Sequence, residues 1–179
     1  YMDNSKAADA YEEKNYEACY LHLFHKDRNE EQERMYVASE SILYMRLLKE
    51  EYESFVKEGS EVKALDSLIQ TINGYPALNA YASQWEAVTE VYDLYGEMTA
   101  VLEEKYGLSE AQAREIAAVK SDVEYTRIVT ALAEGGTYGS WGRPVVSEPE
   151  IAPEEGREEL PDELPEESEL DEGEFVDNQ

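Results

Sequence analysis

The sequence holds a single cysteine, Cys19, so it cannot close an internal disulfide. A chain of 179 residues buries a core without one. A Cys-poor sequence fits the cytoplasm and an exported bacterial protein alike. Basic residues are also scarce: fifteen Lys and Arg stand against forty-two Asp and Glu, a formal net charge of −27. Binding to nucleic acid draws on Lys and Arg to displace counterions from phosphate, so no DNA or RNA partner is expected. An anionic membrane surface is disfavoured for the same reason. A protein or peptide partner, in particular a basic one, remains compatible with this charge. No run of about 18 apolar residues occurs, so no segment of this chain is expected to insert into a membrane. The first residue is Tyr1, not Met, and reads as the start of a fragment or a processed chain. A removed signal or an anchor ahead of Tyr1 is compatible with that start, which leaves localisation open.

Catalytic motifs are missing too. There is no Gly-rich phosphate loop, no Ser-His-Asp arrangement in a strand–turn context and no HExxH. Carboxylate pairs such as Glu12-Glu13, Glu50-Glu51 and Glu103-Glu104 are so abundant that none marks an acid–base pair; they read as solvated faces. Cys19, His22 and His25 come at three-residue steps. Two such steps turn a helix by about 240° beyond a full circle, which separates Cys19 from His25. Zinc takes four ligands, or three plus water, and no fourth is near. The expectation is a non-enzyme with no cofactor and no metal.

Glycine and proline are rare up to Gly135-Gly136 and then the composition changes. Residues 137–179 hold five of the six prolines, fifteen acidic residues and two basic ones, a net of −13 that leaves −14 on residues 1–136. Such a segment cannot bury enough apolar surface to offset its ordering entropy, so a disordered acidic tail is expected over 137–179. Within it, Glu159-Leu160-Pro161 and Glu163-Leu164-Pro165 form a near repeat. Leu160 and Leu164 are candidate docking residues, since acidic–apolar alternation suits a segment that folds on a partner.

The first 136 residues show helical periodicity throughout and no sustained β-branched alternation. Helices are expected near 3–14, 16–25, 30–57, 61–73, 77–83, 84–106, 110–119 and 122–134. Met35, Ser39, Ile42, Met45, Leu48, Tyr52 and Phe55 form one stripe, and Val62, Leu65, Leu68, Ile69 and Ile72 another. Gly59 suits a left-handed cap, and Ser60 can cap the helix after it. Asn73-Gly74-Tyr75-Pro76 reads as a break. Ser109 with Gln112 and Ser121 with Glu124 have capping-box spacing. Short connections imply antiparallel neighbours, so the fold class is all-α: an antiparallel bundle or short superhelix of seven to eight helices.

Tyrosine is common, with fourteen copies. Aromatic stripes at helical spacing mostly fill cores, but tyrosine is also enriched at interfaces. Tyr75, Tyr81, Trp85 and Tyr92 are the candidate partner-binding cluster on the helical part.

Ala7-Ala8, Tyr11, the Lys14-Asn15-Tyr16 turn, Cys19 and Leu23 resemble a tetratricopeptide repeat, in which small residues let two helices approach while an aromatic fills the gap. The stretches Glu61–Gln70, Lys105–Glu110 and Val123–Thr126 resemble bacterial helical-repeat proteins of the Firmicutes type that carry one membrane span ahead of a TPR-like domain. These resemblances imply a TPR-like fold, no enzymatic activity, and a protein-interaction scaffold that binds through a helical groove, the acidic tail or both. The alternative is a structural spacer or oligomerisation domain of a membrane-anchored cell-envelope protein.

Overall fold

The computed structural model describes residues 2–85 and 89–139, with side chains from Ser5 onward. The chain divides into the units Tyr1–Pro144 and Val145–Gln179, and every described residue lies in the first. The tail positions Leu160 and Leu164 lie outside the described residues, as do Val88 and Trp141.

Seven helices and no strand occur among the described residues: α1 (Met2–Glu12), α2 (Tyr16–Leu23), α3 (Glu30–Lys57), α4 (Glu61–Ser83), α5 (Thr89–Tyr106), α6 (Glu110–Ala117) and α7 (Asp122–Ala133). The all-helical class is therefore as the periodicity predicts. Several boundaries follow from side chains that satisfy the first free backbone N–H groups. Asn29 and Gln32 form a reciprocal capping box at the start of α3, and Ser109 and Gln112 form another at α6. At α7 the Ser121 hydroxyl accepts from the Glu124 N–H. Ser60 sits at the start of α4 but makes no capping bond with its side chain.

The α3–α4 turn closes on Gly59, which has φ +72°. Ser60 N–H donates to Phe55 C=O at 2.8 Å, and Gly59 N–H to Val56 C=O at 3.0 Å, so two orphan carbonyls of α3 are satisfied. The same pattern ends α1, where Lys14 takes the left-handed seat at φ +58°. Asn15 N–H then reaches Ala10 C=O and Lys14 N–H reaches Tyr11 C=O. Helix α1 thus stops at Glu12, two residues short of the expected end. Helix α2 stops at Leu23 rather than at 25, because the backbone is extended at Phe24, with ψ 133°, and left-handed at His25, with φ +58°.

The expected break at residues 73–76 is absent. Helix α4 runs unbroken through Pro76, so the short helix expected at 77–83 is its continuation. Proline removes one ladder donor and crowds the preceding turn. Packing outweighs that cost, because the buried stripe Leu65, Leu68, Ile72, Tyr75 and Ala82 continues across it. The residues that signalled a break, Asn73, Gly74 and Pro76, are all exposed. The helix expected from 84 is described only from Thr89, after a turn at Gln84-Trp85. Its buried stripe is Val91, Tyr95, Met98 and Leu102. Tyr92, next to Val91, is 64% exposed.

Helix α3 is the shared spine. Against its first turns, α1 and α2 bury Ala7, Ala10, Cys19 and Leu23 with Met35. Further along, α3 and α4 pack with α5, α6 and α7 around a larger core that includes Met45, Leu65, Leu68, Ile72, Met98, Leu102, Ile116 and Ile128. Tyrosine–carboxylate hydrogen bonds tie the helices across that core.

Candidate partner-binding face

Burial of one side of α3 and α4 leaves the other side of the pair open. On α3, Tyr44, Leu48, Glu51 and Phe55 recur at four-, three- and four-residue steps and share a face. On α4, Lys63, Ser67, Gln70, Gly74 and Leu78 do the same. The two rows border a groove with two hollows that share Leu48 and Gln70 as a saddle. The first, of about 100 Å³, lies among Tyr44, Met45, Leu48, Thr71, Gly74, Tyr75 and Leu78. The second, of about 340 Å³, lies among Leu48, Glu51, Phe55, Lys63, Asp66 and Ser67. From Tyr44 to Phe55 the groove runs roughly 16 Å, three turns of helix.

Two large apolar side chains stand open beside the groove. Tyr44 is 50% exposed, and its neighbour along the ridge, Leu47, is 59% exposed. Leu47 also overlooks a second trough on the α2 side, bordered by Asn15, Tyr16, Leu43, Arg46 and Glu50. Gly74 opens the first hollow: a Cβ added there would meet no atom within 4 Å. Ser67, only 8% exposed, borders the second hollow and its hydroxyl has no hydrogen-bond partner. The neighbouring Thr71 hydroxyl is satisfied by the Ser67 carbonyl at 2.8 Å.

The buried side is wired differently. Tyr16 of α2 donates to Glu90 of α5 at 2.6 Å, where Lys14 and Arg46 also meet that carboxylate at 3.3 and 3.8 Å. Tyr95 of α5 donates to Glu110 of α6 at 2.6 Å and accepts from Arg114 at 2.9 Å. Tyr106 donates to Glu61 at 2.8 Å, and Tyr125 of α7 donates to Asp66 of α4. Burial foremost, then the carboxylate partner, pushes the hydroxyls of Tyr16, Tyr95, Tyr106 and Tyr125 well above the usual tyrosine range. Lys105 and Tyr106 together hold Glu61 below the usual carboxylate range. Tyr44, by contrast, has no hydrogen-bond partner among the described residues.

The four aromatic candidates differ in their surroundings. Tyr75 is buried, and its ring stacks on Tyr95 with centroids 3.5 Å apart; it lines the floor of the first hollow from below. Tyr81 donates to Glu40 of α3 at 2.9 Å, and burial with that carboxylate pushes its hydroxyl up to about 12. Trp85 is half-buried in the turn after α4, and Tyr92 stands exposed on α5. Tyr44 and Leu47 were not singled out from the sequence. The signal for them is two large apolar side chains off the buried stripe of a long helix.

Cys19 is fully buried, and burial raises its thiol above the usual range. With His25 outside α2, the three-step pattern of Cys19, His22 and His25 is not on one helix. Among the described residues no group of three or more His, Cys, Asp or Glu is placed to hold a metal ion. No helix among them is long and apolar enough to cross a membrane. No protein-family model, curated protein or solved structure matches the chain.

Proposed function

We propose that this protein is a non-enzymatic interaction module, a TPR-like array of helix pairs that holds a peptide or protein on the open face of α3 and α4. The observation that carries the reading is the pair Tyr44 and Leu47, half or more exposed on the longest helix and flanked by hollows on either side. Exposed apolar surface next to concave relief is costly to leave in water and characteristic of binding surfaces. Helix-pair arrays present such surfaces as a consequence of their stacking. The N-terminal pair supports the likeness, since Ala7, Ala10 and Cys19 are the small residues buried where α1 meets α2. The acidic segment 137–179 is a second recognition element in this reading, through Leu160 and Leu164.

Affinity capture from lysate of the source cells tests it, using the full chain, the Tyr44→Ser/Leu47→Ser variant and a variant lacking 137–179. A protein held by the wild type and lost from the double variant supports the reading. Capture lost only with the tail moves recognition to the acidic segment. Identical capture by all three variants removes the open face and the tail together.

A further inference from the structure

Resting on that reading, we infer that the α3–α4 groove takes one amphipathic helix of about three turns whose polar edge is basic, seating an aliphatic side chain over Gly74 and a Lys or Arg head between Glu51 and Asp66. Shape, charge and one unsatisfied polar group carry the inference separately.

The shape is that of a helix seat. Its walls are two antiparallel helices whose lining residues repeat with helical spacing, so a third helix laid along them meets ridges and hollows in register. The first hollow, of about 100 Å³, is lined by Leu48, Tyr75, Leu78 and the open flank of Gly74. A buried apolar cavity of about 150 Å³ accommodates a benzene ring, so this one suits a single branched aliphatic side chain. The second hollow begins one to two turns along, at the distance of the next anchor on an i, i+4, i+7 helix.

Charge selects the partner. Most of the cations in the helical part already face carboxylates: Lys14 and Arg46 at Glu90, Lys49 at Glu97, Lys105 at Glu61, Arg114 at Glu110, Arg127 at Glu124 and Arg28 at Glu33. Glu51 has no ion-pair or hydrogen-bond partner among the described residues, and it borders the second hollow with Asp66. Asp66 already accepts from Tyr125 and, at 3.5 Å, from Gln70, which fixes its carboxylate at the edge. Lys63 borders the same hollow, with its ammonium 5.8 Å from the Phe55 ring. A like-charged segment is disfavoured.

The third observation is the Ser67 hydroxyl, buried, unpaired and bordering the same hollow. A buried hydroxyl left unsatisfied is costly, and the cost is removed when a donor arrives. A guanidinium or ammonium head reaching in between Glu51 and Asp66 supplies that donor along with the charge.

The test is a display library of randomised 16-residue helical peptides selected on the immobilised full chain, then measured against variants. The expected binders carry net positive charge with aliphatic residues at i, i+4 and i+7. Their dissociation constants rise at least tenfold on Gly74→Leu, which fills the first hollow, and on Glu51→Lys, and a few-fold on Ser67→Ala. Glu104→Lys, an equal charge change on α5, moves them less than threefold. Circular dichroism keeps misfolding apart from lost binding, because Gly74→Leu retains full helicity. Neutral or acidic binders, or basic binders indifferent to Gly74→Leu, overturn the groove assignment while leaving an interaction module intact. An empty selection overturns it as well, and the lysate capture then decides the broader reading alone. A sedimenting dimer that Glu51→Lys dissociates also overturns it, because the groove would then belong to a second copy.

Discussion

The two sides of the α3–α4 hairpin are built from the same two helices, yet they follow different rules. On the inner side Leu65, Leu68, Ile69 and Ile72 are fully buried, and the tyrosines that reach the edges of that core donate to carboxylates on other helices. On the outer side Tyr44 and Leu47 are open, Gly74 leaves a hollow, and the Ser67 hydroxyl has no partner. The tyrosine hydroxyls at the edges of the core are matched by carboxylates, whereas Tyr44 stands open where nothing of the described chain covers it. Stability is therefore assigned to the inner side and recognition to the outer one.

Alkali strains the inner side most. Its tyrosines have folded-state values raised above 10.0, the value taken for the unfolded chain. Above that pH the unfolded chain releases protons that the folded one retains, so unfolding becomes more favourable as pH rises. Stability should be undiminished by these groups below pH 10 and fall steadily beyond it, as chemical denaturation at stepped pH would record. A flat profile through that range would mean that the hydroxyl–carboxylate ties do not hold the helices.

Ile72→Ala should cost about 3 kcal/mol through lost burial and a residual cavity, whereas Leu47→Ala should stay within about 0.5 kcal/mol. Urea unfolding of the two variants compares the sides directly, and equal losses would erase the distinction. Tyr95→Phe keeps the stack on Tyr75 but removes bonds to Glu110 and Arg114, so a loss of about 2 kcal/mol is expected in the same assay. The smallest change has the opposite sign. Gly74→Ala, in a helix and with open space for its Cβ, should raise stability by about 0.5–1 kcal/mol, read as a higher thermal midpoint. A lower midpoint would show that the hollow is needed for folding.

Much of the inner side was legible in the sequence. The bounds of α3, the left-handed Gly59 and the Ser109–Gln112 box follow from local chemistry that acts within a few residues. The break at 73–76 was misread because Gly74 and Pro76 weaken a helix locally, while Ile72, Tyr75 and Ala82 hold it through contacts far away in sequence. Tyr75 and Tyr92, both candidate binding residues, fall in opposite settings for a similar reason: helical phase alone does not say which neighbour faces the core, and Val91 rather than Tyr92 does. The outer groove was hidden because it is made by two helices together. Tyr44 and Leu47 read as ordinary members of an apolar-rich helix until the packing shows that no helix among the described residues covers them.

Leu47 and Val123 give the most direct test of the central claim, because both are open to solvent, at 59% and 81%. Leu47 stands on the ridge beside the groove, and Val123 borders neither it nor the α2-side trough. A photo-crosslinking residue placed at 47 or at 123 of the full chain, irradiated with a peptide selected on the wild type, separates exposure from recognition. The account predicts a covalent adduct from position 47 and none from position 123. Equal adducts, or an adduct from 123 alone, would contradict it.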